Sequence, residues 1–151
     1  MKDLILFVFS ILILGKSFSQ TPSKIHRRDI ENPSLLTVSS SKFDKYQIKD
    51  FVRAGSKVRL GNELDRFDVK EIISINSNLV TVMGTRFDKF DMKDFLRAGA
   101  FVVITNKFDK YDAKEIINLN PTKVTVIATG FDKFAINEFV KAGASVIIGE
   151  D

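Results

Sequence analysis

The chain is 151 residues long, room for one domain, and its 44% hydrophobic and 28% charged residues suffice for a core and a soluble surface. Its 23 basic and 19 acidic residues are interleaved to a net charge of +4, which argues against a dedicated nucleic-acid binder with clustered Lys and Arg. With no cysteine and His26 as the single histidine, one chain can assemble neither a disulfide framework nor a thiolate metal site, nor the usual histidine-based triads and zinc sites.

Met1 to Gln20 opens on Lys2, runs through the apolar block Leu4 to Leu14 and closes on Ser17 and Ser19 around Phe18. Charged start, apolar middle and small-residue ending are the parts of a secretory signal peptide, and the apolar run is short for a bilayer span. Residues 1–19 are therefore expected to be removed, leaving an exported protein, periplasmic or extracellular, with no membrane span. Residues 20–34, QTPSKIHRRDIENPS, carry two prolines, scattered charge and no apolar period, the composition of a linker or N-terminal arm. His26, Arg27 and Arg28 read there as solvated tail residues.

Residues 35–151 are a repeat array. Related units begin at Phe43, Leu64, Phe87, Phe108 and Phe131, in steps of 21, 23, 21 and 23 residues, so like units recur every 44. That spacing suits one coil of a solenoid. Each unit reads as a short helix followed by a strand. Asp68, Asp91 and Asp112 stand as helix N-caps, with Glu71, Asp94 and Glu115 three residues on in the capping-box position. The aromatic before each cap pairs at hydrophobic-staple spacing with a later apolar residue: Tyr46 with Phe51, Phe67 with Ile72, Phe90 with Phe95, Tyr111 with Ile116, Phe134 with Phe139. Gln47 and Ala135 replace the cap in the outer units, whose helices are expected to fray. Gly55, Gly99 and Gly143 end the odd helices, and Asn76 and Asn120 fill that place in the even ones, both residue types that tolerate a left-handed C-terminal turn.

The strands are read at Leu36 to Ser39, Val58 to Leu60, Val80 to Met83, Val102 to Thr105, Val124 to Ile127 and Val146 to Ile148, each with two apolar residues flanking an outward one. Strand, crossover helix and strand repeated at near-constant length predict a right-handed α/β solenoid, with six parallel strands on one face and five short helices on the other.

These units resemble the leucine-rich-repeat class, and more closely the short bacterial tandem repeats built on F-D-x-[FY]-D-x-K-E-I and V-T-[VI]. The resemblance runs from Leu35 to Ile148 and implies a fold rather than an activity. The chain departs from true leucine-rich repeats in lacking their Asn ladder, and Phe, Val and Ile largely replace Leu.

Two surfaces stand out. Asp44, Asp65, Asp88, Asp109 and Asp132 form one column beside Lys45, Arg66, Lys89, Lys110 and Lys133. One carboxylate per turn with a cation next to it points to satisfied turn amides rather than a calcium ladder. Second, columns stepping by 22 residues place Leu79, Met83, Phe101, Val103, Ile127 and Ile147 together as an apolar patch on the outer sheet face. The last strand offers an unpaired edge. The function expected is a non-enzymatic protein-interaction or structural module that binds a partner, or a second copy, through this face or its edges. The alternative is glycan or cell-envelope binding through Phe101, Lys57, Arg59 and Lys123. No catalytic residue, cofactor or metal ligand is expected, because no unrepeated cluster of catalytic residue types occurs.

Overall fold

A computed structural model describes residues 37–149; the proposed leader, the residue 20–34 arm, His26, Leu35 and Leu36, the first residue read into the first strand, lie outside them. Strands β1 (Thr37–Ser39), β2 (Lys57–Leu60), β3 (Val80–Met83), β4 (Phe101–Ile104), β5 (Val124–Ile127) and β6 (Ser145–Ile147) alternate with helices α1 (Lys45–Arg53), α2 (Arg66–Ile75), α3 (Lys89–Arg97), α4 (Lys110–Ile117) and α5 (Lys133–Lys141). The strands form one open parallel sheet in chain order, β1 to β6. This is the βα repeat solenoid that the unit spacing implies.

The core is a single layer between sheet and helices. Inward strand residues such as Val58, Leu60, Val80, Val82, Val102, Ile104, Val124 and Val126 meet the helix residues Ile48, Val69, Ile72, Met92, Phe95, Ile116 and Phe139. In the odd units the phenylalanine before the helix meets one on its inner face edge to face: Phe43 with Phe51, Phe87 with Phe95 and Phe131 with Phe139, centroids 5.0–5.1 Å apart at 78–89°. Helices of two to three turns are unstable alone, so docking on this layer holds them.

The helix starts lie three residues earlier than the capping-box pattern suggests. Asp44, Asp65, Asp88, Asp109 and Asp132 are the N-caps, and Oδ1 of each accepts two backbone N–H groups at 2.8–2.9 Å. Asp68, Asp91 and Asp112 are instead acids at the third position of the first helical turn, where they interact favourably with the positive end of the helix dipole. All five helices are capped, including the outer two, and in α1 Gln47 Oε1 also accepts from the Asp44 N–H at 3.1 Å. Replacing Asp88 by Ala should therefore lower stability by about 1 kcal/mol, and Asp91→Ala by clearly less, as read from chemical denaturation midpoints.

This shift also moves the aromatics. Tyr46, Phe67, Phe90, Tyr111 and Phe134 are not staples; they project into solvent, 63–71% exposed. The helix exits differ from expectation as well. Gly55, Gly99 and Gly143 have φ of 88–93°, the left-handed conformation that glycine suits. Asn76 and Asn120 do not share it: at φ −160° and −162° they precede short 3-10 turns, Ser77–Leu79 and Pro121–Lys123.

Those turns explain a corrected register. Val38 pairs with Val58, Val58 with Val80, Val82 with Val102, Val102 with Val124 and Val126 with Val146, so the step alternates between 20 and 22 residues instead of holding at 22. The crossovers with a 3-10 turn between helix and following strand are the longer ones; the 3-10 turn Ser40–Lys42 precedes α1, in a shorter one. Both steps are even, so every strand keeps its apolar residues inward.

Candidate functional site

With the alternating register, the outward residues group differently from uniform columns. Arg59 lies beside Thr81, and Thr81 beside Phe101; Met83 lies beside Val103, Val103 beside Thr125, and Ile127 beside Ile147. Phe101 is 36% exposed and Ile147 55%, whereas Met83 and Ile127 are half-buried. Val103 faces outward but is only 8% exposed, because side chains on both neighbouring strands close over it. Leu79 belongs to a 3-10 turn rather than to β3, and part of it packs on the core. The apolar patch is thus interrupted: Phe101 at its centre and Ile147 at the β6 edge are its accessible members.

Lys57, Asn78, Leu79, Thr81 and Phe101 line an open depression of about 240 Å³. Lys123 is tied to the same region: its Nζ donates to Asn78 Oδ1 at 3.0 Å and to the Gly99 carbonyl, and lies 5.1 Å from the Phe101 ring centre. Arg59 extends across the face, its Nε–H donating to Met83 Sδ at 3.0 Å. Of the residues singled out for partner binding, the structure therefore gathers Lys57, Leu79, Phe101 and Lys123 around one hollow and sets Arg59 with Met83 beside it. Ile127 and Ile147 lie further along, towards the last strand.

That last strand carries a feature that appears only when the units are compared. The eighth helical position holds Val52, Ile73, Leu96 and Ile117, each at most 3% exposed because the next unit covers it, but Val140 in α5 is 54% exposed. Likewise Leu60, Val82, Ile104 and Val126 are fully buried, and Ile148 in the corresponding place is 75% exposed. Val140 and Ile148 are core-type side chains on an open flank.

The helix face is polar and self-paired. Lys49 bonds Glu71 at 2.5 Å, Lys70 bonds Asp94 at 2.9 Å, and Lys93 with Glu115 and Lys114 with Glu138 both stand at 3.2 Å, one rung between each neighbouring pair of helices. Lys45 and Lys89 reach Asp68 and Asp112 in the same way. Hydrogen bonds from Lys49, Lys70 and Lys93 hold Glu71, Asp94 and Glu115 below the ordinary carboxylate range, and the bonds to Asp68 and Asp112 raise Lys45 and Lys89. Backbone N–H donors lower Asp65 and Asp132. Exposed pairs of this kind each add little to stability; their effect is to leave the ladder's charges matched from within.

Among the described residues no group of three or more His, Asp or Glu is placed to hold a metal ion, and no helix is long and apolar enough to cross a membrane. The exposed aromatic row on the helix side escaped the sequence reading. With the cap placed at Asp44 and its equivalents, the fourth, seventh and eighth helical positions define the buried arc, and the second position falls outside it. Comparison with protein-family models finds none that matches this chain, and comparison with curated proteins finds no match either, so what it does must be argued from these surfaces.

Proposed function

We propose that this is an exported, non-enzymatic interaction module that binds a protein, or a second copy of itself, through the open sheet face and its β6 edge. The observation that carries this reading is the flank of the last described unit: Val140 and Ile148 are 54% and 75% exposed at positions that earlier units bury almost completely. Burying a Val or Ile side chain is worth about 1.5–3 kcal/mol, and among the described residues no strand pairs with the outer edge of β6 beside them. Ile147 extends the apolar surface from the flank onto the outer face, towards Phe101. A partner strand laid along β6 would satisfy the backbone and cover the side chains together.

The test is sedimentation velocity of the purified protein across a wide concentration range, with affinity capture from the envelope fraction. Self-association or a captured partner is expected, and the double substitution Val140→Asp with Ile148→Asp should abolish it. A strict monomer at high concentration that captures nothing would overturn the reading.

A further inference from the structure

Tyr46, Phe67, Phe90, Tyr111 and Phe134 occupy the second position of α1 to α5, and each is 63–71% exposed. Most other recurring polar or charged groups on that side have a partner within the chain: the cap aspartates accept helix N–H groups, and the lysines and acids of the ladder pair across helices. Each ring is met by the preceding cation, and Tyr46 also by Lys49 at 5.7 Å. Lys45, Arg66, Lys89, Lys110 and Lys133 lie 4.8–5.7 Å from the ring centres. Nothing in helix formation asks for an aromatic there, since aromatic residues are only middling helix formers and these rings bury little. Yet all five units keep one, while the very next position runs Gln, Asp, Asp, Asp, Ala.

The chemistry beside each ring narrows the ligand. Adjacent parallel strands stand about 4.8 Å apart and packed helices about 8–10 Å, so the helix side is the wider, outer side of the array and the rings fan out along it. A flat lipid surface would meet few of them, whereas a flexible polymer can follow the row. The ring spacing, set by those same helices, is near the length of a disaccharide. Each ring is flanked by one cation and one cap carboxylate, and Asp68, Asp91 and Asp112 follow three of them, so the row carries no net positive charge and a polyanion gains nothing from it. In every cap both helix N–H groups donate to Oδ1, which leaves Oδ2 able to accept from a hydroxyl. Sugar rings combine the two requirements: a C–H face that stacks on an aromatic ring, and hydroxyls that donate to a carboxylate and accept from an ammonium group.

We propose that this row binds an uncharged polysaccharide chain, each ring stacking one sugar and the neighbouring Asp and Lys or Arg bonding its hydroxyls. The surface lies across the core from the sheet face and does not depend on the protein-binding reading above. Single contacts are weak, and their linkage along one polymer gives the affinity.

The experiment is native affinity electrophoresis of the protein in gels cast with hydroxyethyl cellulose, xylan or laminarin, with alginate as the polyanion and sedimentation with phosphatidylglycerol vesicles as the lipid arm. Retardation by a neutral glycan is expected, lost in the triple variant Phe67→Ala, Phe90→Ala, Tyr111→Ala and unchanged in Phe101→Ala. If the triple variant fails to fold, Phe90→Ser alone should weaken retardation several-fold. The proposal is overturned by mobility unaltered in all three neutral gels, by retardation that the ring variants leave intact, or by binding confined to alginate or vesicles.

Discussion

Phe95→Ala is expected to lower the free energy of unfolding by about 3–5 kcal/mol, and Phe90→Ala, on the same helix, to change it by no more than about 0.5 kcal/mol. Phe95 is fully buried, packed edge to face on Phe87 with centroids 5.0 Å apart, and lies in the central unit with neighbours on both sides. A solenoid is held by contacts between successive units, so a cavity there weakens the coupling of the halves on either side as well as its own unit. Phe90 is 67% exposed and leaves no cavity. Urea denaturation followed by circular dichroism separates the two substitutions. Large losses from both would restore the staple pairing of Phe90 with Phe95 and discard the solvent-facing row.

Gly84→Ala should cost about 1–3 kcal/mol by overpacking. Gly84 follows β3, and its N–H donates to the Val103 carbonyl at 2.8 Å. An added Cβ would stand 2.7 Å from Phe108 Cε2, 2.9 Å from that same carbonyl oxygen and 3.2 Å from Met92 Cε. The carbonyl is backbone and cannot swing aside, so the strand contact or the Phe108 ring must give. One 44-residue period later the position is Ala128, whose N–H donates to the Ile147 carbonyl in the same manner. A thermal melt of Gly84→Ala checks the effect. An unchanged midpoint would mean that β3, β4 and the Phe108 ring are less tightly apposed than the distances state.

The strands and their order were legible because Val-x-Val segments such as Val80 to Val82 and Val124 to Val126 alternate cleanly and recur at a near-constant interval. The cap was misplaced because Asp occurs both at the N-cap and three residues later, and both sites favour an acid. What distinguishes them is continuity: Asp44 to Asp132 is unbroken across five units, while Gln47 and Ala135 interrupt the other column. That displacement carried Tyr46, Phe67, Phe90, Tyr111 and Phe134 from the surface into an imagined staple. The register escaped because steps of 20 and 22 keep the same inward residues, so alternation cannot tell them apart. On the sheet face, the direction of Val103 followed from alternation. Its near-complete cover did not, since that depends on side chains two strands contribute.

The two crossover lengths have a bearing on how such an array can be lengthened or shortened. Duplication or deletion of a doublet preserves the order of long and short links, and every new junction reproduces one that already exists. Removal of a lone coil would set two glycine-ended links, or two turn-ended ones, side by side, a junction with no precedent in the molecule. Designed variants are therefore best built in doublets, and natural size differences among proteins of this construction should fall in multiples of the same pair.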